Sequence, residues 1–202
     1  MIRGPTSFFF MGIFMNFRIF SAALCAPVAL IVANPANAEG FDGFRVDLHG
    51  GYDAVSNVYT VDGATAGVGI GYDVPVGESV IVGVEANLDY SSAKDEGVYF
   101  GVAYSQVARR DIELSARLGV QLGKTTLGYL KAGYSNAGYE GAAAGYGLWA
   151  YEKGTSDGIR LGAGLEQRIA EKWFVKGEYR YTRYGSDDVN RNQAIFGVGY
   201  RF

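Results

Sequence analysis

The stretch Asn192-Gln-Ala-Ile-Phe-Gly-Val-Gly-Tyr-Arg-Phe202 has a two-residue rhythm. Counting back from Phe202 by twos gives Tyr200, Val198, Phe196 and Ala194, all apolar or aromatic. The interleaved Arg201, Gly199, Gly197, Ile195 and Gln193 are mostly small or polar. Successive side chains of a β-strand point to opposite faces, so the stretch predicts a strand with one apolar face.

Seven further segments upstream carry the same alternation. Phe44 to Asp53 sets Phe44, Val46, Leu48 and Tyr52 against Arg45, Asp47, His49 and Asp53. Ala64 to Val74 sets Val68, Ile70 and Tyr72 against Gly67, Gly69, Gly71 and Asp73; Val80 to Tyr90 sets Val82, Val84, Leu88 and Tyr90 against Glu85, Asn87 and Asp89. Asp111 to Leu122 opposes Ile112, Leu114, Leu118 and Val120 to Glu113, Ser115, Arg117 and Gln121. Thr126 to Ser135 opposes Leu130 and Tyr134 to Tyr129 and Lys131. Gly158 to Ile169 opposes Ile159, Leu161 and Leu165 to Arg160, Glu166 and Arg168. Trp173 to Tyr184 opposes Trp173, Val175, Tyr179 and Tyr181 to Lys176, Glu178 and Arg180. With the terminal segment this makes an all-β chain of eight strands, in keeping with 30 glycines, 15 tyrosines and only 4 prolines.

A soluble barrel would also alternate, with its apolar face turned inward. Aromatic placement separates the two cases. If the first strand runs upward, Phe44, Tyr72, Trp173, Tyr200 and Phe202 fall at one rim, and Tyr52, Tyr90, Tyr134 and Tyr181 at the other. Two aromatic belts are expected where amphipathic rings sit at both interfaces of a membrane. Connection lengths alternate too: 75–79, 123–125 and 170–172 are short, whereas 54–63, 91–110, 136–157 and 185–191 are mostly longer. Short turns inside and longer loops outside are the rule for outer-membrane barrels.

The beginning of the chain predicts export. Arg18 precedes an apolar run from Ile19 to Val32, and Ala36-Asn37-Ala38 has the small-x-small form of a cleavage site, leaving Glu39 first. The run falls short of the ~20 residues of a spanning helix and is interrupted by Pro27, so 1–38 is expected to be removed. Residues 1–14 read as an extension from an upstream start. The sole cysteine, Cys25, goes with the signal, which leaves 39–202 without a disulfide or thiolate metal site. The formal charge of −3 becomes more negative on cleavage, which argues against a nucleic-acid partner.

The chain resembles the small eight-stranded outer-membrane barrels of the opacity-protein and OmpA-transmembrane-domain type. The most specific stretch is Phe196, Gly197, Val198, Tyr200, Arg201 and Phe202, which is similar to the carboxy-terminal assembly signal of such barrels. Ile195 departs from that signal, which has a polar residue there. The resemblance implies an up-and-down barrel in the outer membrane with both mature termini periplasmic. It implies contact with outer-membrane lipid including lipopolysaccharide, recognition by the barrel-insertion machinery, a monomer, and no cofactor or attached peptidoglycan-binding domain.

The predicted inward acids are Asp47, Asp53, Asp73, Glu85, Asp89, Glu113, Glu166 and Glu178. The predicted inward bases are Arg45, Arg117, Lys131, Arg160, Arg168, Lys176, Arg180 and Arg201. This balance predicts an ion-pair network in a closed lumen. The only histidine, His49, lies among these charges and reads as a member of the network rather than a catalytic base. Gly67-x-Gly69-x-Gly71 has no helix after it to make a phosphate loop and reads as space for lumen side chains. Asp187-Asp188 is too little for a calcium site. In 91–110 and 136–157, Tyr99, Phe100, Tyr104, Tyr139, Tyr146, Trp149 and Tyr151 either bind a surface ligand or extend the strands beyond the bilayer. Lys94, Arg109, Arg110 and Lys153 fall near the outer rim, as partners for lipopolysaccharide phosphates or as solvated charges. The sequence thus predicts a structural or surface-interaction role. A narrow channel for small solutes is the alternative, and a lipid-modifying enzyme a distant third.

Overall fold

The computed structural model describes residues 40–56, 60–185 and 189–202. The cleavage residues Ala36, Ala38 and Glu39, and Asp187-Asp188, lie outside the described residues. Nine strands follow in chain order: β1 (Gly43–Ser56), β2 (Thr60–Pro75), β3 (Val80–Ser91), β4 (Lys94–Tyr99), β5 (Val102–Gln121), β6 (Thr126–Gly145), β7 (Leu148–Arg168), β8 (Trp173–Tyr184) and β9 (Asn190–Arg201).

All neighbours are antiparallel, in the order β3-β2-β1-β9-β8-β7-β6-β5-β4, with β3 also paired to β5. The terminal strand therefore lies beside the first, with Arg45 opposite Arg201 and Ser56 opposite Asn190. The β3–β5 ladder closes the ring as eight staves. The ninth strand does not add a stave. β3 runs against Arg110–Val120 of β5, and β4 continues the same stave against Val102–Val107. The Ala108 amide donates to the Ala93 carbonyl at 2.9 Å, bridging the interruption. Closure leaves the spanning part without a free backbone edge, the condition for crossing lipid with strands.

Burial is inverted relative to a water-soluble barrel. Leu48, Leu114 and Leu130 each keep 63% of their surface exposed on the outside, whereas Arg45, Asp89, Glu113 and Arg160 are 0% exposed inside. The turns at one end are tight: Val76 donates to Val80 at 2.7 Å, Leu122 to Thr126 and Ile169 to Trp173 at 2.9 Å. Gly40 and Phe202 lie at this same end, where the Phe202 amide donates to the Phe44 carbonyl at 3.0 Å.

At the opposite end three strands far exceed the expected segments. β5 starts at Val102 rather than Asp111, β6 runs to Gly145 rather than Ser135, and β7 starts at Leu148 rather than Gly158. Most of 91–110 and 136–157 is thus strand extension rather than irregular loop. β9 begins at Asn190, which takes Arg191 out of the predicted connection and into the wall.

Candidate functional site

The lumen is packed with charge. Among the described residues nine carboxylates and eight Lys or Arg side chains are buried there, with His49. Nearest the short turns, Arg201 lies 2.8 Å from both Asp73 and Glu166, and Arg117 lies 2.7 Å from Glu166. Arg45 then bridges Asp73 at 3.0 Å and Glu85 at 2.6 Å. Lys131 meets Glu85 at 2.9 Å and Glu113 and Glu178 at 2.8 Å. Arg180 pairs with Glu178 and, at 3.0 Å, with Asp89. Lys176 lies 2.8 Å from Asp47. Arg160 joins Asp111 and Glu113 at the level of the long hairpins.

His49 is held between two carboxylates, its Nδ1 2.6 Å from Asp47 and its Nε2 2.6 Å from Asp89. Both ring nitrogens are occupied, so neither is presented to a substrate. The glycines of β2 make room for this arrangement. A Cβ on Gly69 would lie 2.6 Å from both Asp47 and Asn87, and one on Gly71 would lie 2.7 Å from the Arg45 guanidinium.

Two corrections to the predicted network follow. Arg168 is not in it: its Nη2 donates to the Lys124 carbonyl at 2.7 Å, and its guanidinium lies 4.9 Å from the Phe41 ring. It sits at the last position of β7, where the wall ends and the chain turns. Arg191 and Asp111 enter instead, 2.8 Å apart, and Arg191 also pairs with Asp53 at 2.6 Å. Asp111 shares the parity of Glu113 and could have been read from the alternation; Arg191 lies beyond the stretch where alternation was visible.

An apolar cluster fills the lumen near the short turns. Phe41, Ile81 and Leu127 pack together fully buried. Arg201 donates to the Phe41 carbonyl at 2.6 Å and stacks 5.5 Å from the buried Phe174 ring. The sequence reading missed Ile81, Leu127 and Phe174 because they occupy the charged-face parity of their strands, and Phe41 because it precedes β1.

Outside, the aromatic residues form two groups. At the short-turn end Phe44 lies 5.5 Å from Phe202, Phe202 5.1 Å from Tyr200, and Tyr200 5.3 Å from Trp173, between ring centroids. Tyr72 pairs with Phe44 across the ladder. At the other end the tyrosine hydroxyls reach upward to polar side chains: Tyr52 to Asp62 at 2.6 Å, Tyr134 to Asp157 at 2.5 Å, Tyr179 to Asn192 at 2.6 Å and Tyr181 to Asn190 at 2.8 Å. Tyr90 is outward and exposed on the same level. From Phe44 to Tyr52 is eight residues, or ~26 Å along the strand and ~20 Å in height at a tilt of ~40°, close to the expected apolar band.

Beyond the upper tyrosines β4, β5, β6 and β7 continue as a four-stranded paddle. The tips are two-residue turns, Phe100-Gly101 between Tyr99 and Val102, and Tyr146-Gly147 between Gly145 and Leu148. Their φ values of 48° and 78°, and 51° and 78°, are left-handed at both positions, the type I′ hairpin. Tyr146 donates from its hydroxyl to the Phe100 carbonyl at 2.6 Å, joining the two tips. Phe100 is 78% and Trp149 81% exposed, with Val98, Tyr146 and Leu148 similarly bare. Trp149 and Tyr151 flank a shallow groove floored by Ala142 and Ala144. Lower on the paddle Glu140 accepts from Arg109 at 2.9 Å and from Lys153 at 3.0 Å, while Lys94 pairs with Glu96 at 2.6 Å. Hydrogen bonds from Lys153 and then Arg109 hold the Glu140 carboxyl below its ordinary range.

An antiparallel ring of eight staves, apolar outside, charged within and belted twice by aromatics, defines a membrane-spanning β-barrel. The model of the outer membrane protein beta-barrel domain family matches residues 23–202, and the chain belongs to that family. It is an outer-membrane barrel. Among solved structures it is similar to Neisserial surface protein A, with a TM-score of 0.58 and 17% identity over 79% of this chain and 97% of that one. It is also similar to Ail, the attachment invasion locus protein of Yersinia pestis, with a TM-score of 0.56 and 16% identity over 80% of this chain and 99% of that one. At these identities the likeness is one of fold. No curated protein matches the sequence as a relative.

Proposed function

We propose that the protein is a cell-surface contact protein, with the barrel as anchor and the β4–β7 paddle as the contacting element. In this reading the short turns and both termini lie in the periplasm and the hairpins project outside. The observation that carries it is the pair of tips. Phe100, Tyr146, Leu148 and Trp149 are held bare in water on a β-framework whose two turns are fixed to one another. Contiguous exposed apolar side chains at this density mark interaction surfaces, and rigid tyrosine and tryptophan lose little entropy on contact.

The lumen supports an anchoring role over a channel role. A ring of one sign would favour ion passage. Here opposite charges are paired across the interior, and Phe41, Ile81 and Leu127 fill the space beneath them. A catalytic role has little support, because His49 is enclosed by Asp47 and Asp89 away from the lipid face.

The test shortens both hairpins, joining Gly97 to Tyr104 and Ala143 to Ala150 through Asn-Gly turns. The shortened barrel should retain its heat-modifiable mobility while cells carrying it lose attachment to surfaces and to one another. Unchanged attachment by a folded, surface-displayed variant would overturn the contact role.

A further inference from the structure

β5 and β6 slip out of register at one place: Ala108 pairs with Tyr139 and Asp111 with Ala137, so Arg109 and Arg110 together oppose a single residue, Gly138. A bulge of this kind re-aims side chains that regular alternation would send to opposite faces. Here it turns two consecutive arginines outward. Arg109 reaches Glu140 on the outer face, and Arg110 sits opposite the outward Tyr90 and lies over Gly138, where a Cβ would be 3.4 Å from its Cγ.

The arginines border a groove of about 530 Å³ whose lining includes Tyr90, Glu140, Lys153 and Thr155. Three cations there face one carboxylate. Glu140 is shared by Arg109 and Lys153, and Arg110 has no ion pair or side-chain hydrogen bond among the described residues. Asp157, lower on β7, is engaged by Tyr134 and Asn136. The row lies directly above the tyrosine hydroxyls, at the height where headgroups of the adjacent leaflet meet the wall.

We propose that this outward groove binds a phosphate of a lipopolysaccharide headgroup, with Arg110 as the primary ligand and Arg109 and Lys153 as flanking cations. A planar guanidinium matches two phosphate oxygens at once, and charge-assisted bonds of this type are stronger than neutral ones. The bulge is what makes the site: without the extra residue only one arginine would face the lipid. The proposal rests on the orientation in which the hairpins lie outside the cell.

The folded protein in detergent should be titrated with lipopolysaccharide lacking O-antigen and with the same lipid after dephosphorylation. Arg109→Gln/Arg110→Gln should weaken binding of the phosphorylated lipid by ~10-fold or more, as expected from losing charged hydrogen bonds. Dephosphorylation should weaken wild-type binding similarly, and Lys124→Gln at the opposite end should leave it unchanged. Heat-modifiable mobility checks that each variant is folded. Equal affinity of the double variant, or of the dephosphorylated lipid, would overturn the site. Inorganic phosphate binding as tightly as the lipid would overturn the lipid assignment. Orientation is tested separately by labelling Trp149→Cys on intact cells with a membrane-impermeant reagent. An unlabelled tip overturns the contact role and this site together, whereas a labelled tip with unaltered lipid binding by the double variant overturns this site alone.

Discussion

Arg191 of the last strand grips Asp53 of the first with two parallel hydrogen bonds, Nε to Oδ1 at 2.7 Å and Nη2 to Oδ2 at 2.6 Å. The pair joins residues 138 positions apart in sequence, across the seam between the first and last strands. Its third donor, Nη1, reaches Asp111 at 2.8 Å on the far wall. Removing one member leaves the others buried and uncompensated, which costs ~3–5 kcal/mol in such settings. Arg191→Ala should therefore lower the temperature at which the folded band converts to the unfolded one. Lys94→Ala, which removes an exposed pair with Glu96, should leave it unchanged. A seam variant as heat-resistant as the parent would show that the joining of first and last strands does not depend on this pair.

The outer wall should respond to charge by depth. Leu118 is outward, half-exposed, and flanked by Val82 and Leu130. If it lies near the bilayer midplane, Leu118→Arg should cost ~2–4 kcal/mol in lipid. Urea unfolding in bilayers measures this, and a loss below ~1 kcal/mol would place Leu118 near an interface instead.

How far the sequence was legible follows from which solvent each segment meets. Between the belts one face contacts lipid and the other contacts charge, so Leu114-Ser115-Ala116-Arg117-Leu118 shows its strand plainly. Above the bilayer both faces meet water, and the demand for alternation disappears. The stretch Ala137-Gly-Tyr-Glu-Gly-Ala-Ala-Ala-Gly145 carries no two-residue pattern, yet it is regular strand paired to β7. The Tyr146-Gly147 turn was available as a hairpin signal, because glycine at the second position suits the left-handed geometry. The Arg109-Arg110 bulge was not available, since an extra residue in a ladder leaves no mark on one strand alone. The inward acids and bases were legible by parity, except where parity failed at a strand end, as at Arg168.

At the paddle base, Glu140 lies outside the bilayer and is held below its ordinary range by Lys153 and Arg109. A carboxylate depressed on folding contributes stability that is present above its unfolded value, ~4.3, and lost as pH falls through its lower folded value. The β6–β7 hairpin should therefore keep the same amide chemical shifts between pH 7 and pH 5. Changes near Glu140 should begin only below about pH 4.3. A midpoint for these resonances at or above that value would show that the two cations do not hold the carboxylate.

Phe202 closes the aromatic group at the short-turn end, against Phe44 and Tyr200. The similarity of Phe196 to Phe202 to an assembly signal predicts a larger effect in cells than its contacts would give. A charge at this interface costs only ~0–1 kcal/mol of lipid transfer. Phe202→Asp should nevertheless reduce the amount of assembled barrel severalfold and increase periplasmic degradation, while refolding into detergent from urea remains efficient. Normal levels of heat-modifiable protein in the outer membrane would refute the assembly role.

The lumen itself gives the last prediction. Lys131 stands within 2.9 Å of Glu85, Glu113 and Glu178, carboxylates carried by three other staves. An eight-stranded ring has an interior only wide enough for side chains to fill, and here the filling is salt-bridged across its width. A migrating ion would have to displace paired charges and then pass Phe41, Ile81 and Leu127. Wild-type protein in a planar bilayer should accordingly show no steady, large conductance. Glu85→Ala should release Lys131 and Arg45 from a shared partner and lower resistance to urea, and Arg117→Ala should do the same by freeing Glu166. If those variants unfold like the parent, the network is not what holds the staves. If the parent conducts steadily at high level, the closed-lumen reading falls and a channel role takes its place.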